Sequence, residues 1–201
     1  MLPPEADAAA RWTAGCQSLL PAACLLPLET FDARCRAAVA AANERSRAAG
    51  EPFPEVRWHG IFSEVLAVPL DAGAAGQISR LHASCSRRCV AMPGAREALE
   101  QYRGAGMLLG IASNAQDYTR AEFVEAGFHF DDFEPDLVFL SGEHGFAKPS
   151  PRVFALLAGR LAGRGIAPEE ILMAGDNVKN DIAPAKAAGW QTRLIGEAGW
   201  L

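Results

Sequence analysis

No run of lysine or arginine, no Cys-x-x-Cys pair and no unbroken apolar stretch of membrane length occurs in these 201 residues. The missing basic run, with a formal charge of -5 and a pI near 5.4, excludes a dedicated nucleic-acid binder, because phosphate contacts need clustered cations. The lack of a Cys-x-x-Cys pair and the odd count of five cysteines (Cys16, Cys24, Cys35, Cys85, Cys89) argue against a zinc knuckle and a secreted disulfide framework. Idle thiols in a reducing cytosol are expected instead. The longest apolar stretch, Leu19 to Leu28, is broken by Pro21 and Pro27 and is too short to span a bilayer. The opening Met1-Leu2-Pro3-Pro4-Glu5 has no basic segment leading into an apolar one, so it does not read as a signal peptide. A cytoplasmic protein with no membrane or nucleic-acid partner is expected. What is present is a composition 50% hydrophobic and 21% charged, which suits a globular chain with a substantial core, either one domain or a core with an inserted subdomain.

The pattern changes near residue 90. Before it, apolar residues recur at helical spacing. Cys35, Ala38, Val39 and Ala42 follow Thr30 as an N-cap, Trp58, Ile61, Phe62, Val65 and Leu66 follow Pro54, and Ile78, Leu81, His82 and Cys85 form a third face. Residues 1–90 therefore read as an all-helical unit. Beyond residue 90, strands and helices alternate. Strands are expected at Met107–Ala112, Asp136–Leu140, Ile171–Ala174 and Thr192–Ile195, with helices ending at Gly104, Gly127 and Gly189. Ser150-Pro151 opens a helix that carries Val153, Phe154, Leu157 and Leu161 on one face. Such alternation predicts a parallel α/β sheet over residues 91–201.

Three strand ends carry polar residues, where open α/β sheets place their ligands. Gly110-Ile111-Ala112-Ser113-Asn114 puts a hydroxyl beside backbone N–H groups that can hold a phosphate oxygen. Gly145-Phe146-Ala147-Lys148-Pro149 offers a cation able to offset phosphoryl charge. Gly175-Asp176-Asn177-Val178-Lys179-Asn180-Asp181 supplies two carboxylates, the hard oxygen ligands that magnesium prefers. Ser113, Lys148 and Asp176 are expected to converge at one end of the sheet. His82 reads as a core histidine, and Cys85 and Cys89, at helical spacing, as packing residues.

At these residues the sequence resembles the haloacid dehalogenase-like (HAD) superfamily, whose second, third and fourth motifs stand in order at Ser113-Asn114, at Lys148 and at Asp176 with Asp181. The resemblance covers residues 91–201 closely, and the helical part only by architecture. It implies a HAD-like Rossmannoid α/β core over residues 91–201 with a parallel sheet, and a C1-type helical cap over residues 1–90. It also implies a magnesium-dependent phosphatase acting on a small phosphorylated metabolite. Ser113 and Asn114 would hold the phosphate, Lys148 would offset its charge, Asp176 would ligate the metal, and Asp181 would act through water or by orienting Lys148. A 2-haloacid dehalogenase and a non-catalytic HAD-like binding or regulatory module are the alternatives.

The family's first motif, an apolar strand ending in Asp-x-Asp with the nucleophile, has no counterpart, because the chain contains no Asp-x-Asp. Asp32 is the nearest imitation, but Arg34 stands where the second acid belongs and the segment reads as helix. In the family that strand is central, so its loss exposes unpaired backbone groups worth on the order of 1–3 kcal/mol each. An N-terminal truncation that removed this segment is the simplest account, and the chain by itself is expected to be inactive and poorly soluble.

Overall fold

A computed structural model of the chain describes residues 7–87, 89–116, 118–196 and 199–200. It divides into two compact units, one of Met1–Val90 with Gln116–Ala126, the other of Ala91–Ala115 with Gly127–Leu201. The change of pattern near residue 90 coincides with the first crossing between them. Residues 116–126, by contrast, group with the helical unit, although in sequence they lie among the strands.

The helical unit is built from α1 (Ala8–Leu19), α2 (Leu28–Ala48), α3 (Trp58–Leu66) and α4 (Ala72–Ser86). Helix α1 packs on α4, and α3 on both α2 and α4. Trp12, Phe31, Phe62 and Ile78 lose all solvent contact in its core, and each such side chain stabilises the fold by about 1.5–3 kcal/mol. The Trp12 indole N–H is satisfied by the Leu26 carbonyl at 2.8 Å, which ties the segment between α1 and α2 to the core. Two expected starts are corrected. Helix α2 begins at Leu28 behind Pro27, two residues before Thr30, because proline's fixed φ already suits a helix start. Helix α3 begins at Trp58, too late for Pro54 to occupy its first turn. Asp71 caps α4 by accepting from Ala74 N at 2.8 Å.

The second unit runs α5 (Ala95–Gly104), β1 (Ile111–Ser113), β2 (Val138–Leu140), α7 (Ser141–His144), α8 (Pro151–Ala162), β3 (Leu172–Gly175), α9 (Ala183–Ala187) and β4 (Gln191–Leu194); α6 (Thr119–Glu125) belongs to the other unit. Both strand pairs are parallel, β1 with β2 (Ala112 opposite Phe139) and β3 with β4 (Met173 opposite Thr192). They form separate two-stranded sheets, and among the described residues no ladder joins β1 to β3. Parallel strands and flanking helices make this the α/β fold expected. The strands are shorter than their apolar runs, since Met107 and Leu108 remain exposed before β1 begins. Phe139, Val153, Phe154, Leu157, Met173 and Trp190 fill the core. Helix α8 starts as expected, with Ser150 as N-cap and Pro151 in the first turn. Among the described residues no helix is long and apolar enough to cross a membrane.

Candidate functional site

The polar residues of interest stand at the carboxyl ends of β1 and β3 and on the loop before α8. Strand β1 can approach β2 closely because Gly110 lacks a side chain: a Cβ there would lie 3.0 Å from both the Cβ and the carbonyl oxygen of Leu137. Its last residue, half-buried Ser113, pairs with Leu140. The loop that follows is pinned by Ser141, a fully buried serine at the end of β2. Ser141 Oγ accepts from Ala115 N at 2.9 Å, and Gly142 N–H donates to the Ala115 carbonyl at 2.9 Å.

Lys148 reaches back across this loop. Its ammonium donates to the Ala112 carbonyl at 2.6 Å and to Asp181 Oδ1 at 2.5 Å, and the two charged side chains are 9% and 5% exposed. Two of the three ammonium donors are thereby committed, and one remains for an anion. Asp181 is aimed inward by a single π-helical turn over Val178–Ile182, a local irregularity frequent at functional sites. Its second oxygen accepts from Asn177 N at 3.0 Å, while Asn177 Oδ1 caps Asn180 N at 2.9 Å. Gly175 is required by the same turn, because a Cβ would sit 2.6 Å from Asp181 Oδ2. Asp176 follows Gly175 and is exposed.

Of the five site residues expected from sequence, Asn114, Lys148 and Asp181 are joined in one hydrogen-bonded chain, with Ser113 and Asp176 beside it at the two strand ends. The side chain of Asn114 faces the main chain of Lys148, donating to its carbonyl at 2.9 Å and accepting from its N–H at 2.8 Å. Sequence reasoning missed Ser141 and Asn177. Ser141, a small polar residue directly after a strand, carried a usable signal; Asn177, which acts on Asp181 through its backbone N–H, carried none. His144 stacks on Phe139 with ring centres 4.5 Å apart.

Magnesium seeks about six oxygen ligands. Asp181 accepts one hydrogen bond on each oxygen, from Lys148 and from Asn177 N–H, whereas Asp176 is exposed at the end of β3. Among the described residues no three His, Cys, Asp or Glu side chains gather as a cation site. The described residues by themselves therefore do not form a complete magnesium site. Asp32 lies in the helical unit, on α2, where it pairs with His82 Nε2 at 2.6 Å. The rings of Trp12, Phe31, Trp58 and Phe62 lie within 6.0 Å of that imidazole, as expected of a core histidine. A cleft of about 140 Å³ in the helical unit, lined by Arg11, Arg80, Arg87, Tyr118 and Glu122 among others, contains none of the strand-end residues.

The chain is similar to several phosphatases. A phosphoserine phosphatase from Thermus thermophilus is 37% identical over 141 residues, 66% of this chain and 53% of that protein. A glyceraldehyde 3-phosphate phosphatase from Pyrococcus furiosus is 32% identical over 101 residues, 50% of this chain and 40% of its own. The chain thus spans about half the length, or less, of the curated relatives it matches. In fold it resembles a HAD phosphatase from Thermococcus onnurineus (TM-score 0.52, 24% identity, 84% of this chain and 76% of that one). It also resembles a HAD family enzyme from Bacteroides thetaiotaomicron in complex with magnesium and inorganic phosphate (TM-score 0.53, 18% identity, 90% of each chain). The family model for haloacid dehalogenase-like hydrolases matches residues 35–189, which include Ser113, Asn114, Lys148, Asp176 and Asp181. Matched over well more than half its length and through both of its units, the chain belongs to the haloacid dehalogenase-like hydrolase family.

Proposed function

We propose that this chain carries the phosphate-holding half of a magnesium-dependent phosphatase for a small phosphorylated metabolite. The reading makes activity depend on a further strand ending in Asp-x-Asp. The observation that carries it is the Lys148 ammonium, fixed at the end of β1 by Ala112 and Asp181 with one donor left for an anion. Ser113, at the end of β1, is read as donating to a phosphate oxygen, and Lys148 as offsetting its charge. Attack on phosphorus needs a carboxylate in line at about 3–3.5 Å, and among the described residues no strand carries one. Asp176 would hold the metal together with the carboxylates of the added segment, and the ion would supply charge neutralisation there. The relatives' names, phosphoserine and glyceraldehyde 3-phosphate phosphatase, point to the size and charge of the substrate. The helical unit is read as the cap that excludes water.

The test is to extend the chain with an apolar strand ending in Asp-x-Asp and measure hydrolysis of an aryl phosphate. The extended protein is expected to turn over with magnesium and to lose activity in EDTA, and Asp176→Asn is expected to remove most turnover. Residues 1–201 alone are expected to show none. Magnesium-dependent turnover by residues 1–201 that disappears in Asp32→Asn would sink this reading, and 2-haloacid hydrolysis unaffected by EDTA would replace it with a dehalogenase.

A further inference from the structure

Lys148 is anchored twice. Its tip is held by the Ala112 carbonyl and Asp181, and its main chain is held by a side chain, Asn114, the first residue after β1. Asn114 Nδ2 donates to the Lys148 carbonyl at 2.9 Å, and the Lys148 N–H donates to Asn114 Oδ1 at 2.8 Å. A paired N–H and C=O exchange of this kind is what one strand residue makes with its neighbour, here supplied by a carboxamide. Only a primary amide offers an acceptor and a donor side by side. Serine, aspartate or alanine at this position would lose one bond or both.

We infer that Asn114 is a positioning residue for Lys148, and that its side chain does not bind phosphate. Its carbonyl oxygen and one of its two N–H donors are already committed to the lysine's main chain. Both ends of Lys148 are thereby referred to the same three residues, 112–114, at the end of β1. A long, flexible side chain loses its freedom of placement when root and tip are both fixed to one rigid strand end. The ammonium is then held at the end of β1, with no search of rotamers needed when an anion arrives. The inference bears on catalysis only if Lys148 is the phosphate's cation, as proposed above, but the clamp can be tested without turnover.

The chain contains three lysines, Lys148, Lys179 and Lys186, and the latter two are exposed. Competitive acetylation of purified residues 1–201, read by mass spectrometry, therefore carries its own internal standards. In Asn114→Ala, Lys148 is expected to acetylate at least about tenfold faster relative to Lys179 and Lys186, as two lost hydrogen bonds allow local opening. The Lys148 amide should exchange its hydrogen faster by a similar factor. Asn114→Asp keeps the acceptor and loses the donor, so it should restore most of the amide's protection. Unchanged Lys148 reactivity and exchange in Asn114→Ala would overturn the inference. So would an equal rise at all three lysines, which would mean that Asn114 only supports folding. Should the alanine variant not fold, Asn114→Ser is read by the same two measurements, and no local change at Lys148 in it overturns the inference. An inactive extended enzyme with an intact clamp would defeat the phosphatase reading alone.

Discussion

Replacing Asp181 by asparagine removes the charge facing Lys148 while keeping the shape of the side chain and an acceptor for Asn177 N–H. The pair is 2.5 Å apart, with the two side chains 9% and 5% exposed. Removing one partner of so buried a pair leaves an ammonium with only the Ala112 carbonyl for compensation, and costs about 3–5 kcal/mol. The retained amide oxygen puts Asp181→Asn near the lower end, about 3 kcal/mol. Asp181→Ala also orphans Asn177 N–H, adding about 1–3 kcal/mol. Removing both charges, in Asp181→Asn with Lys148→Met, should cost less than the sum of the single changes by about 2–3 kcal/mol, because no lone charge stays behind. Urea unfolding followed by tryptophan fluorescence reads this directly, with Trp190 buried in the same unit. A loss of about 3 kcal/mol moves the midpoint by about 1–3 M at ordinary urea sensitivities. A cost below about 1 kcal/mol for Asp181→Asn, or strict additivity in the double variant, would show that the pair is solvated and that Lys148 is not held by it.

Gly175→Ala forces a Cβ to 2.6 Å from Asp181 Oδ2, so it should cost about 1–3 kcal/mol and loosen the Lys148 contact; thermal unfolding and Lys148 acetylation should change together. Trp12→Phe keeps most of the buried ring but leaves the Leu26 carbonyl unpaired, and a loss of about 1–3 kcal/mol in urea unfolding is expected. Burial, with a smaller contribution from Asp32, pushes the Cys35 thiol up to about 12, and burial with Cys85 pushes Cys16 up to about 11. Because both thiols bind their proton more tightly in the folded chain, their stabilisation is complete below the unfolded value of about 8.5 and is lost as pH rises towards 11 and 12. Unfolding free energy should therefore fall above pH 9 by up to about 1.4 kcal/mol per pH unit per thiol, and Cys35→Ala should flatten that slope.

Helical spacing made the core of the first unit legible before any coordinates: Ile61, Phe62, Val65 and Leu66 are buried, as are Cys35, Ala38, Ile78 and Cys85. The helix starts were less so, since Thr30 and Pro54 are sound start signals that Pro27 and the chain before Trp58 override. An apolar run also does not fix a strand. Met107 and Leu108 are as apolar as Ile111, but a ladder needs a partner, and β2 reaches only to the residue opposite Ile111. Helix α6 was read with the sheet because it follows β1 in sequence; Gln116 instead donates to the Val56 carbonyl at 3.0 Å, and Glu122 pairs with Arg87. Motif order and strand ends singled out Lys148 and Asp181, and the two side chains are in contact. The Asn114 clamp was illegible, because it depends on two loops 34 residues apart meeting in space, and no spacing rule encodes that.

The division of the sheet bears on why Lys148 sits where it does. Parallel strands in α/β folds are ordinarily covered on both faces and paired along both edges. Here β1 and β3 each have one ladder partner among the described residues, and what spans from one to the other is the side-chain bridge from Ala112 through Lys148 to Asp181 beyond β3. The ammonium lies at the carbonyl one residue before the end of β1. A strand pairing in register and parallel with β1 would therefore finish beside that ammonium. A carboxylate at its end would meet a cation already half neutralised by Asp181, so the added negative charge would be tolerated without removing the attraction for an incoming dianion. With Asp181 absent, the lysine would pair with the new carboxylate directly and hold it away from a substrate. Asp181 supports the backbone turn that carries it, and on the proposed phosphatase reading it would also keep Lys148 from capturing the carboxylate of the added strand.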